Sequence, residues 1–456
     1  MLRTDFGFGP VLAAGLPWFG TLFGRDAVIS ALQTLVVDPT VAESTLATLA
    51  HFQGKVRNDA RGEIPGKMVH EVRFGELANT GAVPFGRYYG SVDVTPLFIT
   101  LLEATWRRTG RNELLTRHLD AAEAALGWIE AMARAHTSGL LIFDDSDKAG
   151  LVVQSWKDSS DSMVYGDGRP AQAPLAVAEV QGYLFQAYLA MASILTAVGQ
   201  RERAETLREQ AKALQVRFHE QFWMDDRRYY AMATDAVGRH LNVLSSDAGH
   251  CLWTGIIPEQ FSGDVIRTLL GNELFSGWGI RTLGSGEVAF DPYSYHRGSV
   301  WPHDTSLIGA GMARYGYVEE ATILACALLD AACAFPQARI PELFSGAARS
   351  HSPAKPLPYP MACAPQAWAA GALWILLTSV LQVNIDACQK TLQVGPCPEE
   401  LGPITIRGLP IEGSRVDIDW APDSVHVTGL PVAWQWHIAR PTVSLSESIS
   451  KRGVRT

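Results

Sequence analysis

The chain has 456 residues, of which 47% are hydrophobic and 19% charged, the ordinary composition of a globular enzyme with a large core. Lysine and arginine number 38 against 47 aspartate and glutamate, so the net charge is −9, and no long basic run is present that could follow a phosphate backbone. We therefore expect no nucleic acid partner. No stretch reaches the roughly 18 consecutive apolar residues of a membrane span, so we expect no membrane partner either.

The N-terminus and the cysteines bear on the cellular setting. The first five residues, Met-Leu-Arg-Thr-Asp, lack the charged and then apolar pattern of a signal peptide. Six cysteines include no Cys-x-x-Cys pair, and no His/Cys group has the spacing of metal ligands. We expect a cytoplasmic protein that has free thiols, no metal ion and no cofactor. The sequence leaves the oligomeric state open.

Amphipathic patterns predict eleven helices, which recur in pairs. The predicted helices cover residues 25–36, 39–52, 94–108, 113–132, 176–198, 202–222, 248–255, 258–270, 300–314, 318–333 and 365–383. Links within a pair are short, whereas the links between pairs are long and cover 54–93, 133–175, 224–247, 271–299 and 334–364. Short links make antiparallel hairpins, so the long links should all emerge at one end. The sequence predicts an all-α fold, an (α/α)6 toroid, whose twelfth helix is either unrecognised or replaced.

The pattern changes after residue 383. Apolar and polar residues alternate over 404–406, 416–419 and 425–427, between turns rich in proline and glycine, which is typical of strands. We predict a catalytic domain over 1–383, followed by a small β-rich C-terminal appendage over 384–456.

Two acidic residues in different long links are candidates for acid and base chemistry. Asp158 follows Trp156 and Lys157, and a carboxyl group shielded by an indole keeps its proton more readily, as a general acid must. Lys157 would oppose this effect if it paired with Asp158, and Asp158 could instead cap a helix. Glu342, between apolar neighbours, is a candidate base for activating water. Two such carboxyl groups across a cleft are the minimum equipment for hydrolysing a glycosidic bond.

Other polar and aromatic residues of the same strings are candidates for substrate binding. Arg25 and Asp26 together can grip adjacent sugar hydroxyls, although a structural ion pair is an equally good interpretation of the two charges. Asp93 could be only the N-cap of its helix. The complete set of predicted binding residues is Trp18, Phe23, Arg25, Asp26, His70, Glu71, Tyr89, Asp93, Trp156, Lys157, Tyr295, His296, Arg297, Trp301 and His303.

The tryptophans fall into two groups. Trp18, Trp156 and Trp301 lie in the polar strings, where their faces could stack on the C–H surfaces of a sugar. Other tryptophans, at positions 128, 368 and 374, lie inside helical patterns, and we predict that they belong to the core.

Over residues 17–26, 155–162, 295–301 and 340–346 the chain resembles the bacterial amylo-α-1,6-glucosidases, or glycogen-debranching proteins, of the (α/α)6-barrel glycosidases. The resemblance implies that Arg25 and Asp26 hold the hydroxyls of a terminal glucose. It implies that Asp158 is the general acid and Glu342 the general base of a single displacement with inversion, with carboxyl groups about 6.5–9.5 Å apart. It also implies a sugar-binding wall made by Tyr295, His296, Arg297 and Trp301.

We therefore expect an inverting, exo-acting α-glucosidase whose substrate is an oligosaccharide or a glycogen-like branch. One alternative keeps the fold and changes the sugar, as in a trehalase or a mannosylglycerate hydrolase. Another is a glycan-binding protein without activity. Helical toroids also serve as lyases and phosphorylases, because fold alone does not determine function.

Overall fold

The computed structural model describes residues 1–144, 150–421 and 424–439. The helices in this part of the chain are α1 Gly24–Thr34, α2 Pro39–Phe52, α3 Glu76–Asn79, α4 Val94–Thr109, α5 Asn112–Arg134, α6 Ala178–Ala197, α7 Arg201–Phe222, α8 Asp247–Thr254, α9 Glu259–Leu269, α10 Pro302–Arg314, α11 Val318–Ala334 and α12 Ala367–Val380. They confirm the eleven predicted helices and add the single turn α3. Local signals explain the ends. Asp38 accepts a hydrogen bond from the Thr40 N–H at 3.2 Å before α2, and Gly110 ends α4 with a φ of 67°.

Six helices form a closed inner ring. Going around it, α1 packs against α4, α4 against α6, α6 against α8, α8 against α10, α10 against α12, and α12 against α1 again. An outer helix follows each of the first five inner helices and packs against it: α2, α5, α7, α9 and α11. The described residues therefore form a helical toroid with six inner and five outer helices.

The position of a sixth outer helix is taken by strands. No α-helix follows α12 in the described part of the chain, and residues 404–410 face Trp374, Leu377 and Leu381 across a groove. Trp374 is 43% exposed in this groove, so its predicted place in the core is wrong. Trp128, by contrast, is buried as predicted.

Within residues 1–144, 150–421 and 424–439 the strands form six small sheets, so the fold is not purely α-helical. The strands are β1 Arg3–Asp5, β2 Pro10–Leu12, β3 Leu22–Phe23, β4 Glu71–Val72, β5 Arg87–Tyr88, β6 Leu175–Val177, β7 Trp223–Met224, β8 Tyr229–Tyr230, β9 Ala233–Asp235, β10 Asn384–Asp386, β11 Thr391–Val394, β12 Ile404–Ile411, β13 Ser414–Ala421, β14 Ser424–Thr428 and β15 Gln435–Ile438. Strands β12, β13 and β14 are antiparallel, and β11 lies between antiparallel β10 and parallel β15.

The predicted β-rich appendage begins at β10, and its residues beyond 439 lie outside the described part of the chain. Leu392, Val416 and Trp420 of this region belong to the same buried hydrophobic cluster as the toroid. The division into two domains stays a prediction. Within the described residues, no helix has both the length and the apolar character that crossing a membrane requires. All six cysteines are free thiols.

Candidate active site

A cavity of about 180 Å³ at one end of the ring is lined by most of the predicted site residues. Four of the five long links line it, together with the segment before α1 and the start of α12. Eleven of the seventeen predicted site residues are at its wall: Phe23, Arg25, Asp26, His70, Glu71, Trp156, Asp158, Tyr295, His296, Trp301 and Glu342. The link over 224–247 contributes none. The predicted cleft at the loop end therefore exists, and four links build it.

A three-stranded sheet positions the first wall. Phe23 of β3 lies opposite Glu71 of β4, which in turn lies opposite Tyr88 of β5. The Gly24 N–H donates to the carbonyl of His70 at 2.7 Å, so helix α1 starts directly beside β4. A Cβ at Gly24 would lie 2.3 Å from the Val69 carbonyl, so only glycine permits this approach. The first turn of α1 thereby presents its charged residues to the cavity.

Arg25 is buried and has all of its side-chain nitrogens engaged. Its Nε donates to Asp93 at 2.6 Å and its Nη2 to the Ser155 carbonyl at 2.9 Å. Its Nη1 lies 3.5 Å from the carboxylate of Asp158. Arg25 is thus paired with Asp93 and Asp158 rather than with its neighbour in sequence.

Asp158 lies in a turn that no helix follows, so the N-cap interpretation is wrong. Burial raises the pKa of its carboxyl group to about 6, against the opposing charge of Arg25. The side chain is 29% exposed, so it faces the cavity opening. Lys157 points the other way and pairs with Asp247 instead of Asp158. Asp158 therefore keeps its proton up to a higher pH than an ordinary aspartate does.

Glu342 is buried on the opposite link and is held at both oxygens. The Tyr295 hydroxyl donates to Oε1 at 2.7 Å, and the Cys363 N–H donates to Oε2 at 2.9 Å. Burial raises the pKa of Glu342, while these two donors favour its ionised form. Val300 and Phe344 exchange two backbone hydrogen bonds of 2.9 and 3.0 Å, which brings the two loops together.

Asp26 is a third buried carboxyl group in the cavity. Burial raises its pKa to about 8, opposed by Arg25 and reinforced by the nearby charges of Glu342 and Asp158. The Gln366 amide donates to its Oδ1 at 3.4 Å. At neutral pH Asp26 is therefore mostly protonated, which lets it donate a hydrogen bond and limits repulsion among the three carboxyl groups.

Aromatic rings form the floor. Trp156 meets Trp301 edge to face at 5.7 Å, and Trp301 meets Trp368 in the same way at 6.0 Å. His296 stacks on Trp301 at 5.1 Å and accepts the Ser159 N–H at Nδ1 at 3.4 Å, so its ring proton lies on Nε2. Burial and the charges of Lys157 and Arg25 lower the pKa of His296, so the ring is neutral. Flat aromatic faces beside polar groups are typical of sugar-binding sites.

Six predicted site residues do not line the cavity: Trp18, Tyr89, Asp93, Lys157, Arg297 and His303. Trp18 is 51% exposed and donates to the Met361 carbonyl at 3.1 Å, and Arg297 pairs with Asp161 at 2.9 Å. The Tyr89 hydroxyl donates to the Phe52 carbonyl at 2.7 Å. For these residues the structure gives no direct contact with the cavity.

The other three of the six are buried behind the cavity wall. Lys157 donates to Asp247 at 2.6 Å, and Asp93 pairs with Arg25, its side chain capping no helix. His303 stacks on Trp368 at 3.8 Å. All three lie too deep to touch a ligand in the cavity, so the prediction of substrate binding is not supported for them.

Sequence reasoning missed six residues that line the cavity: Phe19, Arg73, Phe85, Leu151, Gln366 and Trp368. Phe19 lies in the aromatic string at 17–26, so its position in the sequence could have indicated that it lines the cavity. Trp368 was assigned to the core because it lies in a helical pattern; it is buried, yet one side reaches the cavity. Arg73 and Gln366 have no local signal, because ordinary polar residues occur throughout loops.

A second, wider groove of about 690 Å³ lies at Tyr165, Trp223 and Asn242. Its acidic residues Asp225 and Asp226 are exposed. Exposed carboxylates are not held toward a common point, so this groove lacks the features of the cavity described above.

The comparison with protein families gives a match over most of the chain. The family model for the mannosylglycerate hydrolase MGH1-like glycoside hydrolase domain matches residues 23–344. This range contains Asp158, Glu342 and all the residues that line the cavity except Phe19, Gln366 and Trp368. No curated protein matches the chain.

Solved structures share the fold at low sequence identity. The GH63 mannosylglycerate hydrolase from Thermus thermophilus, in complex with Tris, has a TM-score of 0.59 and 14% identity, over 81% of this chain and 96% of that one. A GH78 rhamnosidase of Bacillus sp. GL1 has a TM-score of 0.65 and 14% identity, over 94% of this chain and 40% of that one. A sialidase has a TM-score of 0.65 and 10% identity, over 93% of this chain and 37% of that one. The chain thus spans less than half the length of the last two proteins.

Proposed function

Because the chain belongs to the mannosylglycerate hydrolase MGH1-like glycoside hydrolase family, we propose that it is an inverting, exo-acting α-glycosidase with a small anionic glycoside of the mannosylglycerate type as its substrate. The observation that carries this proposal is the presence of Asp158 and Glu342 in one small cavity with contrasting surroundings. Burial raises the pKa of both carboxyl groups, that of Asp158 to about 6, but only Glu342 has two hydrogen-bond donors, Tyr295 and Cys363, that favour its charged form. Such a difference is what separates an acid from a base.

The proposed reaction is a single displacement. Asp158 donates its proton to the glycosidic oxygen as the bond between that oxygen and the anomeric carbon breaks. Glu342 takes a proton from a water molecule whose oxygen attacks the anomeric carbon from the opposite face, so the configuration inverts. Proton exchange with solvent then restores both carboxyl groups. Asp26, Gln366 and the Nε2 proton of His296 supply hydrogen bonds to the sugar hydroxyls.

The size and shape of the cavity favour a small substrate. Its volume of about 180 Å³ is below the roughly 300–1,000 Å³ of common small-molecule sites. The buried end contains Arg25, Asp26, Glu342 and the tryptophans, whereas the partly exposed residues are Phe19, Arg73, Phe85, Leu151, Asp158 and Tyr295. A terminal sugar therefore fits the buried end, and the leaving group points toward the exposed side.

Arg73 favours an anionic leaving group. Only Arg25 and Arg73 supply permanent positive charge among the described residues of the cavity wall, and Arg25 is fully engaged. Arg73 uses its Nε to bind Glu71, and its guanidinium lies over the rings of Phe23 and Phe85 at 5.3 and 5.8 Å. Its terminal nitrogens donate to no described residue, which leaves a fixed, planar fork of the kind that binds carboxylates.

The test is a panel of α-mannosylglycerate, trehalose, isomaltose, panose and limit dextrin, with the released anomer observed by NMR. We expect the fastest hydrolysis for mannosylglycerate and an inverted product. Fastest release from panose or limit dextrin would instead support the amylo-α-1,6-glucosidase predicted from the sequence, and a retained anomer would contradict the assigned roles. Turnover that requires phosphate would identify a phosphorylase, and binding without turnover a glycan-binding protein.

The role of Arg73 has its own test. Arg73→Met should raise KM for mannosylglycerate by about 10- to 100-fold, because a charge-assisted pair contributes about 1.5–3 kcal/mol, and should change KM for a neutral methyl α-mannoside by less than about threefold. The matched control is Arg87→Met, since Arg87 lies on the adjacent strand, outside the cavity wall. An equal change for both substrates would rule out recognition of the anionic group by Arg73.

A further inference from the structure

Asp93 is the most deeply buried carboxylate that touches the catalytic machinery without reaching the cavity. It lies at the first turn of α4 with no exposed surface, and its side chain caps no backbone N–H. Its Oδ2 accepts the Arg25 Nε at 2.6 Å, and its Oδ1 has no hydrogen-bond partner among the described residues. Neither helix capping nor contact with a ligand explains why an acidic residue occupies this position.

The geometry around Arg25 suggests an explanation. The guanidinium contacts Asp93 at 2.6 Å, the Ser155 carbonyl at 2.9 Å and Asp158 at 3.5 Å, so the longest of the three contacts is the one to the proposed acid. Ser155 is three residues before Asp158, so Arg25 also holds the turn that carries the acid. An arginine so close to a carboxyl group would, without a counter-charge, favour its ionised form and remove the proton that an acid needs.

We infer that Asp93 is a positioning residue that neutralises Arg25 and draws its guanidinium away from Asp158, so that Arg25 fixes the acid-bearing turn without depriving Asp158 of its proton. This inference rests on the proposed role of Asp158 as the general acid. The electrostatics agree: after burial, Arg25 is the largest influence and lowers the pKa of Asp158, and Asp93 follows and raises it.

Other charged or titratable groups also face Asp158, but none can replace Asp93. Asp26 lies on α1, and Glu71 lies on β4 with His70 and Arg73 beside it in the sequence. Glu342 and Tyr295 lie on the opposite loops, and the neutral ring of His296 contacts Ser159, next to the acid. None of them forms a hydrogen bond or ion pair with Arg25 in the described structure. Apart from Asp158 itself, Asp93 is the only carboxylate that forms an ion pair with the guanidinium in the described structure.

The experiment compares wild type, Asp93→Asn and the double variant Arg25→Gln/Asp93→Asn. The titration of Asp158 is followed by NMR of protein labelled with 13C at the aspartate carboxyl carbons, and the signal is identified by its loss in Asp158→Asn. We expect the Asp158 midpoint to fall by at least about one pH unit in Asp93→Asn, because Arg25 is then an unbalanced cation. In the double variant, which has no ionic partner, the midpoint should return to the wild-type value or above it. An unchanged midpoint in Asp93→Asn would overturn the inference.

Activity provides the second readout. In Asp93→Asn the basic limb of the kcat/KM profile for mannosylglycerate should move to lower pH by the same amount as the NMR midpoint. A uniform loss of activity at every pH, with no shift of the limb, would indicate a merely structural role and contradict the inference. If the NMR midpoint moves but no glycoside in the panel is hydrolysed by wild type, the electrostatic role of Asp93 stands and the proposed function fails. If Asp93→Asn does not fold, two other variants test the inference. The Asp158 midpoint in Asp93→Glu should lie within about half a pH unit of wild type, and the midpoint in the double variant should lie at or above the wild-type value.

Discussion

The molecule buries two groups of charged side chains on either side of Trp156, and only one of them opens to solvent. The cavity group consists of Arg25, Asp26, Glu71, Asp158 and Glu342. The inner cluster, as we call the second group, consists of Lys157, Glu179, Asp247, His250 and Asp304, and His250 stacks on the far face of Trp156 at 5.6 Å. Lys157 and Asp158 are adjacent in sequence, yet they belong to different groups.

The two groups differ in their access to solvent. In the inner cluster, Lys157 donates to Asp247 at 2.6 Å and to the Thr282 carbonyl at 2.9 Å, and His250 pairs with Asp304 at 2.8 Å. Carboxyl groups outnumber the permanent cations in both groups, and burial raises the pKa of Glu179 in the inner cluster as it raises those of Asp26 and Asp158 in the cavity group. The inner cluster is closed off from solvent, whereas carboxyl groups that line an open cavity can exchange protons with a substrate.

The largest expected effect is a loss of activity when either catalytic carboxyl group of the cavity is replaced. Asp158→Asn and Glu342→Gln should each lower kcat by about 10³-fold with the fold intact, because each removes a proton-transfer group. Turnover of the best substrate and circular dichroism are the measurements. The matched control is Asp161→Asn, in the same turn, which should stay within about twofold of wild type because Asp161 is exposed and pairs with Arg297. Near-normal turnover in either active-site variant would show that the roles are assigned incorrectly.

The next effect is a loss of stability when the central lysine of the inner cluster is replaced. Lys157→Met should lower the free energy of unfolding by about 3–5 kcal/mol, because it leaves Asp247 buried without its counter-charge. Urea unfolding measures this, and Arg203→Gln, which breaks the exposed pair with Glu123, should cost less than about 1 kcal/mol. A loss for Lys157→Met no larger than that of the surface control would mean that the inner cluster is not structural.

A further expected effect concerns the pH dependence of stability. The pKa of Asp26 is about 8 in the folded protein against 3.8 for an unperturbed aspartate, so the folded state binds more protons between these values. Stability should therefore fall as pH rises from about 4 to 8. In Asp26→Asn this contribution disappears, so the variant's Tm should exceed that of wild type by a margin that grows from pH 5 to pH 8. A margin that is constant with pH would contradict the raised pKa.

The helices were predictable because their apolar residues repeat with a local period. The closure of the ring was not, since residues 404–410 cover α12 where a twelfth helix was expected, and no local pattern specifies that packing. The charged and aromatic strings indicated Arg25, Asp158, Tyr295 and Glu342, because such clusters are unusual in loops. The sequence did not indicate Arg73 and Gln366, because single polar residues are common in loops.

The sequence motifs did not identify the substrate. The strings resemble those of amylo-α-1,6-glucosidases, but the family match supports a glycoside hydrolase and, among the expected substrates, favours the mannosylglycerate hydrolase alternative. Arg73, the residue that we propose to recognise the leaving group, lines the cavity from the position directly after strand β4, outside the four strings that carry the resemblance.

By itself, the sequence determined the paired helices, the long links at one end and the two carboxylates that face the same cavity, because each depends on local periodicity or on an unusual local composition. Only the tertiary structure decided that Lys157 turns inward while Asp158 faces the cavity, and that Asp93 lies behind Arg25. In an irregular loop, neighbouring side chains have no fixed periodicity, so their directions follow from the partners that folding brings near: Asp247 for Lys157, and Arg25 for Asp93 and Asp158.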